Sequence, residues 1–211
     1  MPPLTAGPAQ ARRRGRRIGV LGGSFNPAHE GHLHISRLAL RLLRLDAVWW
    51  MVSPQNPLKP VRGMAAFEKR VSDARAAARH PRIRVTGIEA RLGTAYTADT
   101  LAALKRRFPM ERFVWLMGAD NLAQIGRWRR WTDIFHTVPV AVFARPHYSL
   151  RALAGKAAHR FKAARISEER AGALADTPPP AWVFLNTRLD ATSATGIRAG
   201  LGKSGRSAVG R

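Results

Sequence analysis

The run Ile18-Gly19-Val20-Leu21, stopped by Gly22-Gly23, constrains this chain more than any other segment. A short apolar run that ends abruptly in glycine reads as a strand buried on both faces, the kind found inside a parallel sheet. Behind it, Leu33, Ile35, Leu38, Leu42 and Leu45 recur near helical spacing over about residues 31–44. A second apolar run, Val48-Trp49-Trp50-Met51-Val52, follows and is broken by a Pro-rich loop over 54–60. Strand, helix and strand within about 35 residues make a βαβ unit.

The alternation continues. The pattern predicts helices over 64–79 and 98–108, strands over 83–86 and 113–117, and short helices near Asn121 and Trp131. Strands over 138–143 and 182–185 and a helix over 194–201 follow, while 147–180 reads as irregular or weakly helical. No internal repeat is present. Alternating strands and helices imply an α/β fold, a doubly wound, Rossmann-like parallel sheet with helices on both faces. Residues 1–17, rich in Pro, Ala and Arg, read as a disordered basic tail. Residues 18–201 read as one globular domain, and 202–211 as a flexible basic tail.

Lys and Arg number 36 against 13 Asp and Glu, a net charge of +23 that would suit a nucleic-acid binder. The excess concentrates in the N-terminal tail, at Arg127, Arg129 and Arg130, and near the C-terminus. No aromatic-basic interleaving or zinc-finger spacing accompanies it, so nucleic acid is not read as the main partner. An enzyme with polyanionic substrates explains the charge equally well. No apolar run reaches the ~20 residues that a membrane span needs, and no secretory signal is read at the N-terminus. The chain contains no cysteine, which excludes thiolate chemistry and sits comfortably with a cytoplasmic protein. Oligomeric state is left open, a homo-oligomer included.

The chemistry concentrates in Gly22-Gly23-Ser24-Phe25-Asn26-Pro27-Ala28-His29-Glu30-Gly31-His32, between the first strand and the first helix. Anions bind at such junctions. The glycines permit a tight turn and close backbone approach, and His29 and His32 start the helix with rings at the same end. Two imidazoles beside backbone N–H groups suit a phosphate whose charge is moving to a leaving group. A capping loop with two surface histidines is the plainer alternative. A metal pair is disfavoured, because no further His, Cys or carboxylate cluster nearby completes a tetrahedral set.

This run resembles the G-G-[S/T]-F-[D/N]-P-x-H-x-G-H motif of the H-x-G-H nucleotidyltransferases. Thr192-Ser193-Ala194-Thr195-Gly196-Ile197-Arg198 resembles that superfamily's I-S-x-T-x-I-R motif. Three further segments are similar to those of nicotinate-nucleotide adenylyltransferases. They are Ala95-Tyr96-Thr97-Ala98-Asp99-Thr100-Leu101, Gly118-Ala119-Asp120-Asn121-Leu122 with Trp128, and Ala144-Arg145-Pro146-His147-Tyr148. The likeness spans about residues 18–201. There are departures: Pro54-Gln55-Asn56-Pro57-Leu58-Lys59 lacks the family's histidine and is shorter, Thr192 replaces Ile, and Asn26 stands where many relatives have Asp.

The resemblance implies transfer of AMP from ATP to nicotinate mononucleotide with release of pyrophosphate, Mg²⁺ riding on ATP and needing no acidic cage. It implies catalytic roles for His29, His32, Lys59 and Arg198. ATP would meet Gly22, Gly23, Ser24, Phe25, Gly118, Asp120, Ser193 and Thr195 besides both histidines and Arg198. Nicotinate mononucleotide would meet Asn26, Thr97, Trp128 and Arg145, whereas Trp49, Trp50, Trp115 and Trp182 read as packing. Phosphopantetheine, glycerol phosphate or nicotinamide mononucleotide are the rival acceptors within the superfamily.

Overall fold

Pairing of the first strand on both of its edges sets the architecture. The computed structural model describes residues 15–54 and 63–186. The chain runs β1 (Arg17–Gly23), α1 (Glu30–Leu42), β2 (Ala47–Val52), α2 (Phe67–Ala77), β3 (Ile83–Thr86), α3 (Ile88–Leu92), α4 (Thr97–Arg107) and β4 (Arg112–Gly118). It continues through α5 (Ala119–Gln124), α6 (Trp131–Thr137), β5 (Val140–Phe143), α7 (Ser149–Leu153), α8 (Lys156–Arg160), β6 (Arg165–Ile166) and β7 (Trp182–Leu185).

The strands form one parallel sheet in the order β3-β2-β1-β4-β5-β7-β6. The chain therefore leaves β1 in one direction through β2 and β3, then returns to β4 on β1's other edge. That reversal opens a crevice beyond the carboxyl ends of β1 and β4, where doubly wound sheets bind ligands. The expected doubly wound sheet is what the chain forms.

The strands β1, β2, β4, β5 and β7 feed two cores, because successive side chains point to opposite faces. Ile18, Val20, Phe113, Trp115, Met117, Val140, Val142, Trp182 and Phe184 pack beneath α3 through α8. Leu21, Val48, Trp50, Val52, Val114, Leu116, Phe143, Val183 and Leu185 pack beneath α1, α2 and a 3₁₀ segment, Glu168–Asp176. Trp50 is fully buried, and its Nε1–H donates to Ser36 Oγ at 2.7 Å. Ser36 Oγ–H donates in turn to the His32 carbonyl at 2.8 Å, so a polar thread ties β2 to the first turn of α1.

Three expectations shift. β1 begins at Arg17, inside the segment read as a disordered tail. There the Arg16 N–H donates to Glu111 Oε2 at 2.7 Å and the Arg17 N–H to Asp46 Oδ2 at 2.7 Å. Carboxylates beside neighbouring strands thus draw these basic residues into the sheet. The segment 147–180, read as irregular or weakly helical, forms the short helices α7 and α8, two 3₁₀ segments and the unexpected two-residue edge strand β6. α3 was not anticipated. The helix expected over 194–201 lies outside the described residues.

Replacing Ser36 with Ala leaves the buried Trp50 Nε1–H without an acceptor. The expected cost is about 1–3 kcal/mol, read as a lower denaturation midpoint.

Candidate active site

The loop after β1 is held by packing on one side and by helix-end chemistry on the other. Phe25 adopts φ +46°, a region that bulky residues rarely enter, and is 2% exposed. Its ring lies 5.2 Å from Trp50 and 4.6 Å from His32, and this clamp sustains the strained backbone. Asn26 Nδ2–H donates to the Gly63 carbonyl at 3.1 Å, and Asn26 Oδ1 accepts from the Ala65 N–H at 3.3 Å. Asn26, expected at the acceptor, braces this loop against residues 63–65.

His29 occupies the N-cap of α1. Its Nδ1 accepts from the Gly31 N–H at 3.1 Å, while the His29 N–H donates to His32 Nδ1 at 3.2 Å. The histidines thus do for each other what Ser and Glu do in a capping box. A neutral imidazole that accepts at Nδ1 carries its proton on Nε2. Both rings, 3.9 Å apart, are therefore Nε2–H donors at the positive end of a 13-residue helix. Capping and anion binding, posed as alternatives from the sequence, are compatible here because they use different nitrogens.

Gly118 ends β4, and a Cβ there would collide with Asp120 Oδ1. Asp120 Oδ2 accepts from Arg145 Nη1 at 3.0 Å, whereas Asp120 Oδ1 is buried without a hydrogen bond among the described residues. Asp120 is not an N-cap: α5 begins one residue earlier, after Gly118. Arg145, expected on the acceptor phosphate, holds Asp120 in place.

A cavity of 410 Å³ opens beside Gly22 and Gly23 and is lined by Tyr96, Thr97, Trp115, Arg127, Trp128 and Arg129 among others. Four residues singled out from the sequence, Gly22, Gly23, Thr97 and Trp128, thus meet around one space. The Arg129 guanidinium lies over the Tyr96 ring, 4.6 Å from its centre. Arg130 is taken up by Asp99 and Asp133. Lys59, Ser193, Thr195 and Arg198 lie outside the described residues.

Three residues of the site were not anticipated. Trp115, read as packing, lines the cavity, and its buried Nε1–H has no acceptor among the described residues. A Cβ on Gly22 would strike the Trp115 ring, so that glycine is fixed by this indole. Glu89, also on the cavity wall, is 4% exposed and accepts from Thr100 Oγ1–H at 2.9 Å. Burial raises its pKa above the ordinary 4.5, and hydrogen bonds from Thr100 and Ser53 only partly oppose this. Arg70 is 2% exposed and surrounded by backbone carbonyls. One signal for it existed: Phe67, Arg70 and Ala74 share a helical face, which puts a charge on an apolar stripe.

A sequence profile described as cytidylyltransferase-like matches residues 20–200. A Parvibaculum lavamentivorans protein named "Probable nicotinate-nucleotide adenylyltransferase" is 55% identical over 184 residues, covering 87% of this chain and 92% of that protein. A Cereibacter sphaeroides protein of the same name is 57% identical over 182 residues, covering 86% and 96%. Among solved structures, Plasmodium falciparum nicotinic acid mononucleotide adenylyltransferase complexed with NaAD superposes with a TM-score of 0.65. It is 16% identical and is matched over 87% of this chain and 83% of that one, a likeness of fold.

Glu89 gives a pH prediction. A carboxyl with a raised folded pKa contributes stability that is full below the unfolded value and is lost as pH rises through the folded one. Gln at position 89 stays neutral throughout. The thermal midpoint of Glu89→Gln should therefore gain on the parent's as pH is raised from about 4 to about 8. A gap that stays constant, or closes, contradicts the assignment.

Proposed function

The chain belongs to the cytidylyltransferase-like family and, at 55% and 57% identity to two of them, with the nicotinate-nucleotide adenylyltransferases; from that premise we propose that the crevice beyond β1 and β4 transfers AMP from ATP to nicotinate mononucleotide. The observation that carries the reading is the reciprocal cap of His29 and His32, which aligns two imidazole donors with a helix N-terminus.

The acceptor's phosphate is already an anion at neutral pH, so it attacks the α-phosphorus of ATP without a strong general base. A new P–O bond forms as the bond from that phosphorus to the bridging oxygen breaks, and pyrophosphate leaves with the charge. Positioning and charge stabilisation then supply most of the rate. The Nε2–H groups of His29 and His32 face the triphosphate, joined by backbone around Gly22, Gly23, Ser24 and Phe25. Lys59 and Arg198 are assigned to the departing pyrophosphate from the sequence motifs, and Ser193 and Thr195 of the second motif to ATP.

Asp120 Oδ1 is a buried acceptor beside Gly118 and suits an ATP ribose hydroxyl. Arg145 spends one donor of a five-donor fork on Asp120, and the rest of that fork suits the mononucleotide phosphate. Trp128 offers a face to the pyridine ring, Thr97 and the backbone near it meet the ring's carboxylate, and Arg127 and Arg129 supply charge of the right sign. Mg²⁺ enters as part of the substrate, bound to the triphosphate. Ring and backbone N–H groups donate to anions, and Mg²⁺ prefers oxygen ligands, so these groups would hold the phosphates and the cation would stay on ATP.

Pyrophosphate release with ATP, Mg²⁺ and a series of acceptors tests this reading. Turnover should favour nicotinate mononucleotide over nicotinamide mononucleotide and phosphopantetheine. Loss of one such donor in His29→Ala or His32→Ala should lower kcat by about 10²–10³-fold. Preference for phosphopantetheine, or an unimpaired His29→Ala protein, would overturn it.

A further inference from the structure

Arg70 is the least expected charge among the described residues: a guanidinium buried beside the loop after β1, with no carboxylate of those residues hydrogen-bonded to it. Its donors reach four carbonyls in three chain segments. Nε–H donates to Ala65 O at 2.9 Å, Nη1 to Ser24 O at 2.7 Å and Ser53 O at 2.8 Å, and Nη2 to Pro54 O at 2.7 Å. One side chain on α2 therefore gathers the loop after β1, the loop after β2 and the segment that leads into its own helix. Burial lowers its pKa below the ordinary arginine value, and the charge of Glu68 opposes that shift.

The Ser24 contact has a directional consequence. In a trans peptide the C=O and the following N–H point to opposite sides. Fixing Ser24 O on Arg70 turns the Phe25 N–H away from α2. No backbone carbonyl among the described residues accepts that N–H. The strained Phe25 backbone, with φ +46°, is held in the same arrangement from the ring side by Trp50 and His32. Pro54, the other end of the grip, begins the stretch of sequence that carries Lys59.

We infer that Arg70 is the positioning residue of the triphosphate loop: it sets the Ser24 peptide plane so that the Phe25 N–H faces the phosphates, and it ties that loop to the one after β2. The inference rests on reading residues 22–32 as the triphosphate site. Arg70 touches no substrate. Its effect is transmitted through the peptide planes it holds, and its positive charge lies beneath a site for anions. Lys in its place keeps the charge but has three donors on one atom and cannot span the same carbonyls.

The test compares the parent with Arg70→Lys and Arg70→Met, each checked for folding by near-UV circular dichroism, in both reaction directions. A merely structural defect lowers the active fraction and leaves every KM unchanged. A misplaced phosphate loop raises KM for ATP, and for pyrophosphate in reverse, by about tenfold or more, and leaves KM for nicotinate mononucleotide within about twofold. Arg70→Lys should fall between the parent and Arg70→Met. Unchanged KM for ATP and pyrophosphate in a folded variant, or equal rises for both substrates, would overturn the inference.

Should neither variant fold, the unmutated protein decides. Its Phe25 amide proton should move downfield as pyrophosphate is titrated in, and a stationary Phe25 resonance with saturating pyrophosphate contradicts the inference. A parent that binds neither ATP nor pyrophosphate overturns the triphosphate reading itself, and this inference with it.

Discussion

The reciprocal hydrogen bonds between His29 and His32 are the constraint on which the rest of the site depends. They satisfy backbone donors at the start of α1 that would otherwise be orphaned. They also settle which nitrogen of each ring bears the proton. The packing around them serves the same end: the Phe25 ring wedges between Trp50 and His32, and Trp50 reaches Ser36, whose hydroxyl returns to the His32 carbonyl. A disturbance in this aromatic cluster is therefore a disturbance of the two donors.

Topology decides what faces those donors. Because β4 returns to the free edge of β1, the glycine end of β1 lies beside Gly118, and the loop after β5 brings Arg145 onto Asp120. Gly22 and Gly23 also border the cavity that holds Thr97 and Trp128. The two glycines thus form a shared wall between the helix end proposed to hold phosphate and the cavity proposed to hold the acceptor, an arrangement that in-line transfer between two bound nucleotides requires. The basic residues separate in the same way. Arg70 works beneath the loop, Arg127 and Arg129 border the cavity, and Arg130 is consumed by Asp99 and Asp133 at the surface.

Much of this was legible in the sequence, and the exceptions have physical causes. Buried parallel strands read as uninterrupted apolar runs, so β1, β2, β4 and β7 stood out, and the glycine-histidine motif announced the junction after β1. β6 has two residues and α3 five, too few for any periodicity to register. The pairing of Asp120 with Arg145 joins residues from different strand ends and leaves no mark on local spacing. Glu89 and Trp115 belong to the cavity only because α3 and β4 both border it. As single residues they are indistinguishable from a surface carboxylate and a core indole. Arg70 alone carried a local signal, a charge on an apolar helical face, and that signal marks burial without saying what is held.

The protonation state of the two histidines is the most direct test. Long-range nitrogen–proton correlation spectra of the protein with isotope-labelled histidine report the tautomer of each ring, with and without a non-hydrolysable ATP analogue. Nδ1 of both His29 and His32 should be unprotonated at neutral pH, with Nε2 bearing the proton, and the analogue should shift Nε2 far more than Nδ1. A proton on Nδ1 of either ring, or Nε2 resonances that ignore the analogue, would contradict the site as described.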